Sequence, residues 1–291
     1  MSDPVPLDSG WIAAHPLPIH GGGTDKNSRG RVLAIGGSAR APGALRLTAE
    51  AALRVGAGKV QMATITSAAA LLGLLVPEAG VLSLPEEEGE IGPPDDALDE
   101  ALPSADTVAI GPGMASREGA ARLIRRAAEG AGAEARLVLD AGAIAAAADV
   151  EEALRPLAGR LVMTPHHGEM AALTGRPVEE IAADPAATAG RVAKAFGAVV
   201  ALKGTATVVA APDGTTLDYA GGGVGMATGG SGDVLAGVIA GLLARGAAPL
   251  VATGWGVWLH GHSGRRMAAR HGPIGFLARE LLPEIPLLLP Q

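Results

Sequence analysis

The sequence has 291 residues, of which 48% are hydrophobic and only 2% aromatic, and it carries a formal net charge of −7. Such a chain can bury a large core of small aliphatic side chains, and an acidic balance without basic runs argues against nucleic acid as a partner. Because the sequence has no cysteine, disulfides, catalytic thiolates and cysteine-bound metals are excluded. This composition fits the reducing cytoplasm, where we expect the protein to act.

Two stretches without formal charge, residues 60–77 and 246–264, have to be weighed as membrane spans. Both contain polar side chains and fall short of the continuous run of about 20 apolar residues that spanning requires. The N-terminus lacks the basic start and apolar centre of a signal peptide. We therefore interpret both stretches as interior elements and expect no membrane partner.

Short apolar runs alternate with alanine-rich runs from residue 31 to residue 285. Strands are predicted within residues 31–37, 59–65, 107–113, 136–142, 160–166 and 198–204. Helical runs lie between most of them, for example residues 42–58, which begin with Pro42, and residues 117–130. This alternation predicts a mostly parallel sheet that is covered by helices on both faces.

Two segments depart from the alternation. Residues 207–221 hold two short strands around Pro212, Asp213 and Gly214, which predicts an antiparallel hairpin near one edge of the sheet. The acidic, proline-containing stretch 84–100 is predicted to be a solvated surface loop. Since no linker or internal repeat divides the chain, we predict one domain over residues 1–291, in which residues 1–29 form an N-terminal extension.

Most of the unusual residues follow the predicted strands directly. In open parallel sheets, ligands bind outside the carboxyl ends of the strands, and these ends share one edge. The residues at these ends are Gly36, Gly37, Ser38, Gly111, Pro112, Gly113, Asp140, Thr164, Pro165, His166, Lys203 and Gly204. Their convergence predicts a ligand site at that edge.

The stretch 225–237, GMATGGSGDVLAG, places glycines directly before the apolar helix that begins near Asp233. Backbone N–H groups at a helix N-terminus have no partner within the helix, and glycines let a phosphate approach them. Asp233 has two interpretations. Either it caps these groups, or it is a base beside an anion hole that takes a proton from a hydroxyl attacking phosphorus. The adjacent glycines favour the base.

Two other strand ends carry candidate functional residues. Lys203, with the hydroxyls of Thr205 and Thr207, is either a solvated surface group or a contact for the phosphates or ribose of a nucleotide. Of the adjacent His166 and His167, either one contacts substrate, with Glu169 reaching magnesium through water, or the segment forms a helix cap with Glu169 in the first turn. Adjacent histidines rarely chelate one ion together, so no zinc site is expected.

The remaining signals are weaker. His260 and His262 lie in an apolar helical run, and we interpret them as core or interface residues. Residues 36–44 lack the Gly-x-Gly-x-x-Gly spacing of a dinucleotide-binding motif, and a Walker-type phosphate loop is absent as well. A nucleotide would therefore have to be held by another device.

Five motifs follow one another along the chain: Gly-Gly-Ser with Pro-Gly-Ala, Gly-Pro-Gly, Thr-Pro-His-x-Gly-Glu, Lys-Gly-x-x-Thr and Ala-Thr-Gly-Gly-Ser-Gly-Asp-Val-Leu-Ala-Gly. In this order they resemble the ADP/ATP-dependent NAD(P)H-hydrate dehydratases of the ribokinase-like superfamily. The resemblance runs from residue 30 to residue 266. It implies an α/β fold with three layers, α/β/α. It also implies a reaction in which ADP, or ATP, restores NADH or NADPH from the hydrated cofactor NAD(P)HX, with AMP and phosphate released from ADP.

The resemblance also implies residue roles. Asp233 is implied to be the base for the C6 hydroxyl of the hydrate, and Glu169 matches an acidic residue associated with magnesium and phosphate. The anion hole is implied to consist of Gly230, Ser231 and Gly232. The residues implied to hold the AMP part are Lys203, Gly204, Thr205, Ala206, Thr207 and Gly232. The residues implied to line the hydrate site are Ala44, Gly113, His166 and Asp233.

Two positions depart from the family pattern. Gly142 stands where members commonly have the second Asp of Asp-Ala-Asp, which leaves the role of Asp140 open, and the stretch GGGTDKNSRGR lacks the His-Lys-Gly often found there. Relatives are often homotetramers, and we expect a homo-oligomer here, with residues 246–264 available for its packing. Many relatives are fused to an epimerase domain. Because the first predicted strand begins near Arg31, we expect the dehydratase alone, with the epimerase on a separate polypeptide.

Two other functions fit part of the motifs. A hydroxyethylthiazole or hydroxymethylpyrimidine kinase of the same superfamily shares Gly-x-Gly-Asp and stops at the phosphorylated alcohol. Thr-Pro-His-x-Gly-Glu together with Lys-Gly-x-x-Thr favours the dehydratase over these kinases. A nucleotide-sensing protein without turnover is the second alternative, and the retention of Asp233 beside the glycines argues against it.

Overall fold

A computed structural model describes residues 4–19, 21 and 25–290, so residues 22–24 of the stretch GGGTDKNSRGR lie outside the described residues. The strands are β1 (Val5–Pro6), β2 (Arg31–Ile35), β3 (Lys59–Ile65), β4 (Gly80–Leu84), β5 (Glu86–Glu87), β6 (Glu90–Ile91), β7 (Thr107–Ile110), β8 (Arg136–Leu139), β9 (Leu161–Met163), β10 (Ala198–Leu202), β11 (Thr207–Ala210) and β12 (Thr216–Tyr219). The α-helices are α1 (Ser9–Ala14), α2 (Pro42–Arg54), α3 (Thr66–Leu75), α4 (Asp96–Ala101), α5 (Arg117–Gly130), α6 (Gly142–Ala146), α7 (Glu151–Leu154), α8 (His167–Thr174), α9 (Val178–Ala183), α10 (Pro185–Phe196), α11 (Ser231–Ala244), α12 (Pro249–His271) and α13 (Ala278–Leu281).

One large sheet organises these elements. Its strand order is β1-β12-β11-β10-β9-β8-β7-β2-β3-β4. The strands from β10 to β4 in this order are parallel, whereas β11 pairs antiparallel with both β10 and β12. The predicted parallel sheet and the predicted hairpin near one edge are therefore confirmed.

The helices cover the sheet from both sides. Crossovers between parallel strands are almost always right-handed, and the chain moves in opposite directions along the sheet when it passes from β2 to β3 and from β7 to β8. Consequently α2 and α5, which make these two connections, lie on opposite faces. Helices α11 and α12 join the layer of α2, which gives the α/β/α arrangement that the sequence predicts.

Helix α11 is the most deeply buried helix of its layer, with every residue from Val234 to Ala244 buried. Its glycines explain how it packs so closely on α2. A Cβ at Gly237 would lie 2.1 Å from the carbonyl oxygen of Thr48, and one at Gly241 would lie 2.4 Å from the Val55 side chain. The backbone of α11 therefore rests directly on α2, which fixes the position of its N-terminus above the sheet.

One expectation about a chain segment needs correction, and one strand was not predicted. The acidic stretch 84–100 is not simply a solvated loop, because it contains the β5–β6 hairpin and α4, and the side chain of Ile91 is buried with 2% exposure. In addition, β4 closes one edge of the sheet although its half-exposed sequence, GVLSL, gives only a weak strand signal. The N-terminal extension contributes β1, which pairs with β12 at the opposite edge.

In the part of the chain that the structure describes, no helix combines the length and apolarity needed to cross a bilayer.

Candidate active site

The carboxyl ends of the central parallel strands bring together residues that are far apart in sequence. The backbone amide of Lys203, after β10, donates to the carbonyl oxygen of Pro165, after β9, at 2.8 Å. The amide of Thr164 donates in turn to Leu139, at the end of β8, at 3.0 Å. These hydrogen bonds align three strand ends, so the side chains that follow them face a common space.

An ammonium group and two carboxylates meet in that space. Nζ of Lys203 lies 2.9 Å from Oδ1 of Asp140 and 3.8 Å from Oε2 of Glu169. The hydroxyl of Thr164 donates to the same Oδ1 of Asp140 at 2.6 Å. Asp140 is only 2% exposed, so its charge depends on these two donors. The interpretation of Lys203 as a solvated group is therefore wrong.

Asp233 lies beside this cluster and is perturbed by it. Burial raises the pKa of Asp233 to about 7, the charges of Asp140 and Glu169 act in the same direction, and that of Lys203 opposes them. For Lys203, burial alone would lower the pKa, but the neighbouring carboxylates outweigh it and raise the pKa above its ordinary value. A carboxyl group that titrates near neutral pH suits a general base, because it is deprotonated in part and still basic enough to accept a proton.

The first turn of α11 is open to an external anion. Its N-cap, Gly230, has a φ of +89° and offers no side chain to the turn. The amide of Ser231 donates to the carbonyl oxygen of Thr228 at 3.2 Å, and that of Val234 donates to Gly230 at 3.1 Å. Between them, the amides of Gly232 and Asp233 find no acceptor among the described residues.

The carboxylate of Asp233 does not satisfy these amides either. Within the described part of the chain, no side-chain hydrogen bond caps α11, so the cap interpretation of Asp233 is wrong. A Cβ at Gly232 would lie 3.1 Å from Nζ of Lys203. Two free amides thus lie in the same turn as a carboxyl group with a raised pKa, with an ammonium group close to Gly232, which is an arrangement suited to a phosphoryl group and an attacking hydroxyl.

His166 and Glu169 form the cap that the sequence offered as one interpretation. The amide of Glu169 donates to Nδ1 of His166 at 3.1 Å, and the amide of His166 donates to Oε2 of Glu169 at 2.8 Å. This capping box closes the N-terminus of α8. Glu169 remains 18% exposed, so its carboxylate also faces the space beside Lys203. The cap does not exclude contacts with a ligand.

Two residues predicted to line the hydrate site touch each other. A Cβ at Gly113 would lie 3.0 Å from Cβ of Ala44. Ala44 belongs to the first turn of α2, and one turn later the hydroxyl of Thr48 donates to the carbonyl oxygen of Asp233 at 3.1 Å. The start of α2 is therefore tied to the start of α11, which brings the predicted hydrate residues close to the predicted base.

The segment predicted to hold the nucleotide is a short exposed connection between β10 and β11. Gly204, Thr205 and Ala206 are all exposed, and Thr207 begins β11 opposite Tyr219. A Cβ at Gly221 would lie 2.6 Å from the carbonyl oxygen of Thr205, so the chain after β12 packs against this connection. The roles of residues 203–207 in nucleotide binding stay a prediction.

The close packing of the loops beneath the site explains why Gly142 stands where family members commonly have Asp. A Cβ at this position would lie 2.5 Å from the carbonyl oxygen of Met114, so an Asp does not fit without movement of the backbone. The same close contact recurs beside it, where Cβ atoms at Gly36 and Gly111 would meet the carbonyl oxygens of Pro112 and Asp140. The remaining carboxylate, that of Asp140, serves Lys203.

Sequence reasoning missed one residue of this region. His260, interpreted as a core or interface residue, contacts Ser231 in the first turn of α11, with 2.9 Å between Nε2 and Oγ. No spacing pattern signals this contact, because the two residues come from different helices. Nδ1 of His262, two residues later, is hydrogen-bonded to the hydroxyl of Tyr219 instead.

Comparison with known proteins identifies the family. The NAD(P)H-hydrate dehydratase family model matches residues 32–287 of the chain. The chain is 49% identical to a protein of Xanthomonas campestris named ADP-dependent (S)-NAD(P)H-hydrate dehydratase, over 96% of this chain and 93% of that protein. It is 39% identical to the bifunctional NAD(P)H-hydrate repair enzyme of Moorella thermoacetica, over 97% of this chain but 53% of that protein, so it spans about half the length of the bifunctional relative.

A solved structure agrees with these sequence matches. The ADP/ATP-dependent NAD(P)H-hydrate dehydratase of Bacillus subtilis, co-crystallised with ATP and Mg²⁺, superposes with a TM-score of 0.80 at 28% identity. The match covers 99% of this chain and 98% of that one. The ribokinase-like fold that the motifs imply is thereby confirmed, and the chain belongs to the NAD(P)H-hydrate dehydratase family.

Proposed function

We propose that the chain is an ADP-dependent (6S)-NAD(P)H-hydrate dehydratase, which restores NADH or NADPH from the hydrated cofactor and converts ADP to AMP and phosphate. The observation that carries the proposal is the open first turn of α11, where the free amides of Gly232 and Asp233 lie beside a carboxyl group whose pKa is raised to about 7. Family membership supplies the substrate class.

The chemistry follows from what each group can do. The carboxylate of Asp233 takes the proton of the C6 hydroxyl, whose oxygen attacks the β-phosphorus of ADP while the bond to AMP breaks. Phosphate is a far better leaving group than hydroxide. The lone pair of the ring nitrogen expels it from C6, and loss of a proton from C5 restores the double bond. The sum is NAD(P)HX and ADP giving NAD(P)H, AMP and phosphate.

The remaining groups stabilise charge and hold the substrates. The anion hole of Gly230, Ser231 and Gly232 faces the phosphoryl group. Because the amide of Ser231 already donates to Thr228, the free donors are the amide of Gly232 and the adjoining amide of Asp233, and each preorganised donor contributes about 2.7–4 kcal/mol to the transition state. The segment from Lys203 to Thr207 holds the AMP part, and Lys203 also balances the negative charges around it. Ala44, Gly113 and His166 line the site of the hydrate, next to Asp233.

Magnesium fits the donor set. Among the described residues, no group of three or more His, Asp or Glu side chains converges to bind a metal ion alone. Mg²⁺ in nucleotide sites usually takes one or two carboxylates, with phosphates and waters completing its shell. We therefore assign Glu169 to it, since this carboxylate faces Lys203 and remains partly exposed. When bound, the ion neutralises charge on the phosphates.

Further features complete the proposal. The chain acts as a single domain over residues 1–291, in the cytoplasm, as a homotetramer, and with ATP as the alternative phosphoryl donor. The epimer that this site does not accept is converted by an epimerase activity.

The experiment is an absorbance assay of the reduced nicotinamide ring. Purified protein with Mg²⁺ and ADP is mixed with both epimers of NADHX, and the absorbance should rise only with nucleotide present and stop when one epimer is exhausted. Appearance of AMP in equal amount links turnover to ADP. Absence of any rise with ADP or ATP, in folded protein, would contradict the proposal and direct the search to kinases of small alcohols such as hydroxyethylthiazole.

A further inference from the structure

His260 has no role in the reaction described above, yet it contacts a residue that does. Its Nε2 lies 2.9 Å from Oγ of Ser231, the first residue of α11. Ser231 is 6% exposed, and the imidazole reaches it from α12. A side chain of one helix therefore holds the first turn of another, at the point where α11 faces the proposed phosphoryl group.

The ring of His260 is neutral at physiological pH. Burial lowers the pKa of His260 to about 4, the charge of Lys203 acts in the same direction, and a hydrogen bond to the backbone of Ser231 opposes them. A neutral imidazole has one N–H and one lone pair. Nε2 therefore either donates to the hydroxyl oxygen of Ser231 or accepts its proton.

The surroundings of Ser231 select between the two arrangements. The amides of Gly232 and Asp233 are free donors in the same turn, and Nζ of Lys203 lies near Gly232, so the turn favours an anion. If Ser231 donated to Nε2, its lone pairs would face that anion and repel it. If Nε2–H donates to Oγ, the hydroxyl proton is left for the anion.

We propose that His260 is a positioning residue, which holds the hydroxyl of Ser231 with its proton directed at the phosphoryl group that leaves ADP. This inference rests on the proposed function, because it requires a phosphoryl group at the first turn of α11. His260 touches neither substrate and transfers no proton. Its Nε2–H donates to Oγ of Ser231, and the Ser231 hydroxyl donates to a phosphoryl oxygen that becomes more negative in the transition state.

The test combines four variants in the assay of NADHX with ADP. Ser231→Ala removes the donor and should lower kcat about 10²-fold. His260→Leu leaves the hydroxyl unpositioned and should lower kcat about 10-fold, in the range typical of outer-shell partners, with little change in KM for NADHX. His260→Gln, whose amide nitrogen reaches the place of Nε2, should recover most of the activity. Ser231→Ala with His260→Leu should be no slower than Ser231→Ala alone.

A matched control is available on the same helix. His262 is also half-buried and hydrogen-bonded, to the hydroxyl of Tyr219 and the carbonyl oxygen of Trp258, but among the described residues it makes no hydrogen bond to α11. His262→Leu should leave kcat within about twofold. An equal loss in His262→Leu and His260→Leu, or losses of Ser231→Ala and His260→Leu that multiply in the double variant, would overturn the proposal.

A second measurement covers the case in which the His260 variants do not fold. ¹⁵N NMR of the imidazole rings in the wild-type protein reports which nitrogen carries the proton, and we expect the Nε2–H form for His260. The Nδ1–H form would mean that Ser231 donates to the ring, and it would overturn the proposal. Failure of the proposed function is seen separately, as an absence of ADP-dependent turnover in the wild type.

Discussion

Helices α8 and α11 begin at the same edge of the sheet, but only α8 has a side-chain cap for the backbone amides of its first turn. The N-terminus of α8 is closed by the protein itself, because His166 and Glu169 form a reciprocal capping box. The N-terminus of α11 begins at Gly230 and receives no side-chain cap among the described residues. Both ends have the same backbone chemistry and the same dipole, so the difference comes from the side chains supplied.

The difference shows that one fold can use a helix N-terminus either for stability or for ligand binding. A capped end gains roughly 0.5–2 kcal/mol of stability and presents only its side chains to the site. An uncapped end forgoes that stability and keeps its donors for a ligand. Lys203 stands between them, within 3.8 Å of Glu169 on one side and close to Gly232 on the other.

The largest expected effect is at the open end. Asp233→Asn removes the base and should lower kcat by about 10²–10⁴-fold, while ADP still binds, since the amides of α11 are unchanged. Turnover by absorbance and ADP binding by calorimetry measure the two quantities. Asp218→Asn, at the one exposed position of β12, is the matched control. Retained turnover in Asp233→Asn would contradict a catalytic role for the N-terminus of α11, because the open end would then be a structural feature only.

The next effect tests the cation between the two ends. Lys203→Met leaves the carboxylate of Asp140 buried without its ion-pair partner, and loss of one partner of a buried pair costs about 3–5 kcal/mol. Denaturant unfolding should show this loss, and ADP affinity should fall as well. Asp140→Asn added to Lys203→Met removes the unpaired charge and should restore much of the stability but not the affinity. Equal stability of the single variant and the wild type would contradict the pairing.

A smaller, graded effect is expected from pH. Because burial raises the pKa of Asp233 to about 7, kcat/KM should rise about tenfold per pH unit below pH 7 and level off above it. The free energy of unfolding changes in the opposite direction and falls as pH rises. The unfolded state loses this proton near pH 4 and the folded state only near pH 7, so the stability contribution declines as pH rises across that interval. The advantage of Asp233→Asn over the wild type in melting temperature should therefore grow from pH 4 to pH 7.

The smallest effect is at the closed end. Glu169→Gln keeps an oxygen that accepts from the His166 amide, so its free energy of unfolding should stay within about 0.5 kcal/mol of the wild type. Glu169→Ala removes the capping contact and should cost about 1 kcal/mol. If Glu169 also serves magnesium, both variants need more Mg²⁺ for half-maximal turnover. An unchanged Mg²⁺ dependence in Glu169→Gln would mean that Glu169 caps α8 and does not bind magnesium.

The sequence predicts much of this architecture because the physics is local. Apolar runs that end in glycine or a polar residue mark β2, β3 and β7–β10, and Pro42 marks the start of α2. The strand β4 and the β5–β6 hairpin escape prediction because their burial depends on neighbours supplied by other parts of the chain. Ile91, for example, is buried within a stretch that is otherwise acidic.

The features of the site likewise divide into those that the sequence predicts and those that it does not. Sequence predicts which strand ends carry polar residues, since parallel strands place their carboxyl ends at one edge. It does not predict that Lys203 pairs with Asp140, 63 residues away, because that contact depends on the register of β8, β9 and β10. It also does not predict the contact of His260 with Ser231, which depends on how α12 packs against α11.

The close contacts under the site have an evolutionary consequence. Cβ atoms at Gly36, Gly111 and Gly142 would lie between 1.8 and 2.5 Å from carbonyl oxygens of neighbouring loops, so at these three positions the loops meet through their main chains. A larger residue at any one of them would collide with a neighbouring backbone, so natural selection cannot vary these positions one at a time. Divergence among relatives must then come from other positions of the site, while these three glycines are inherited together.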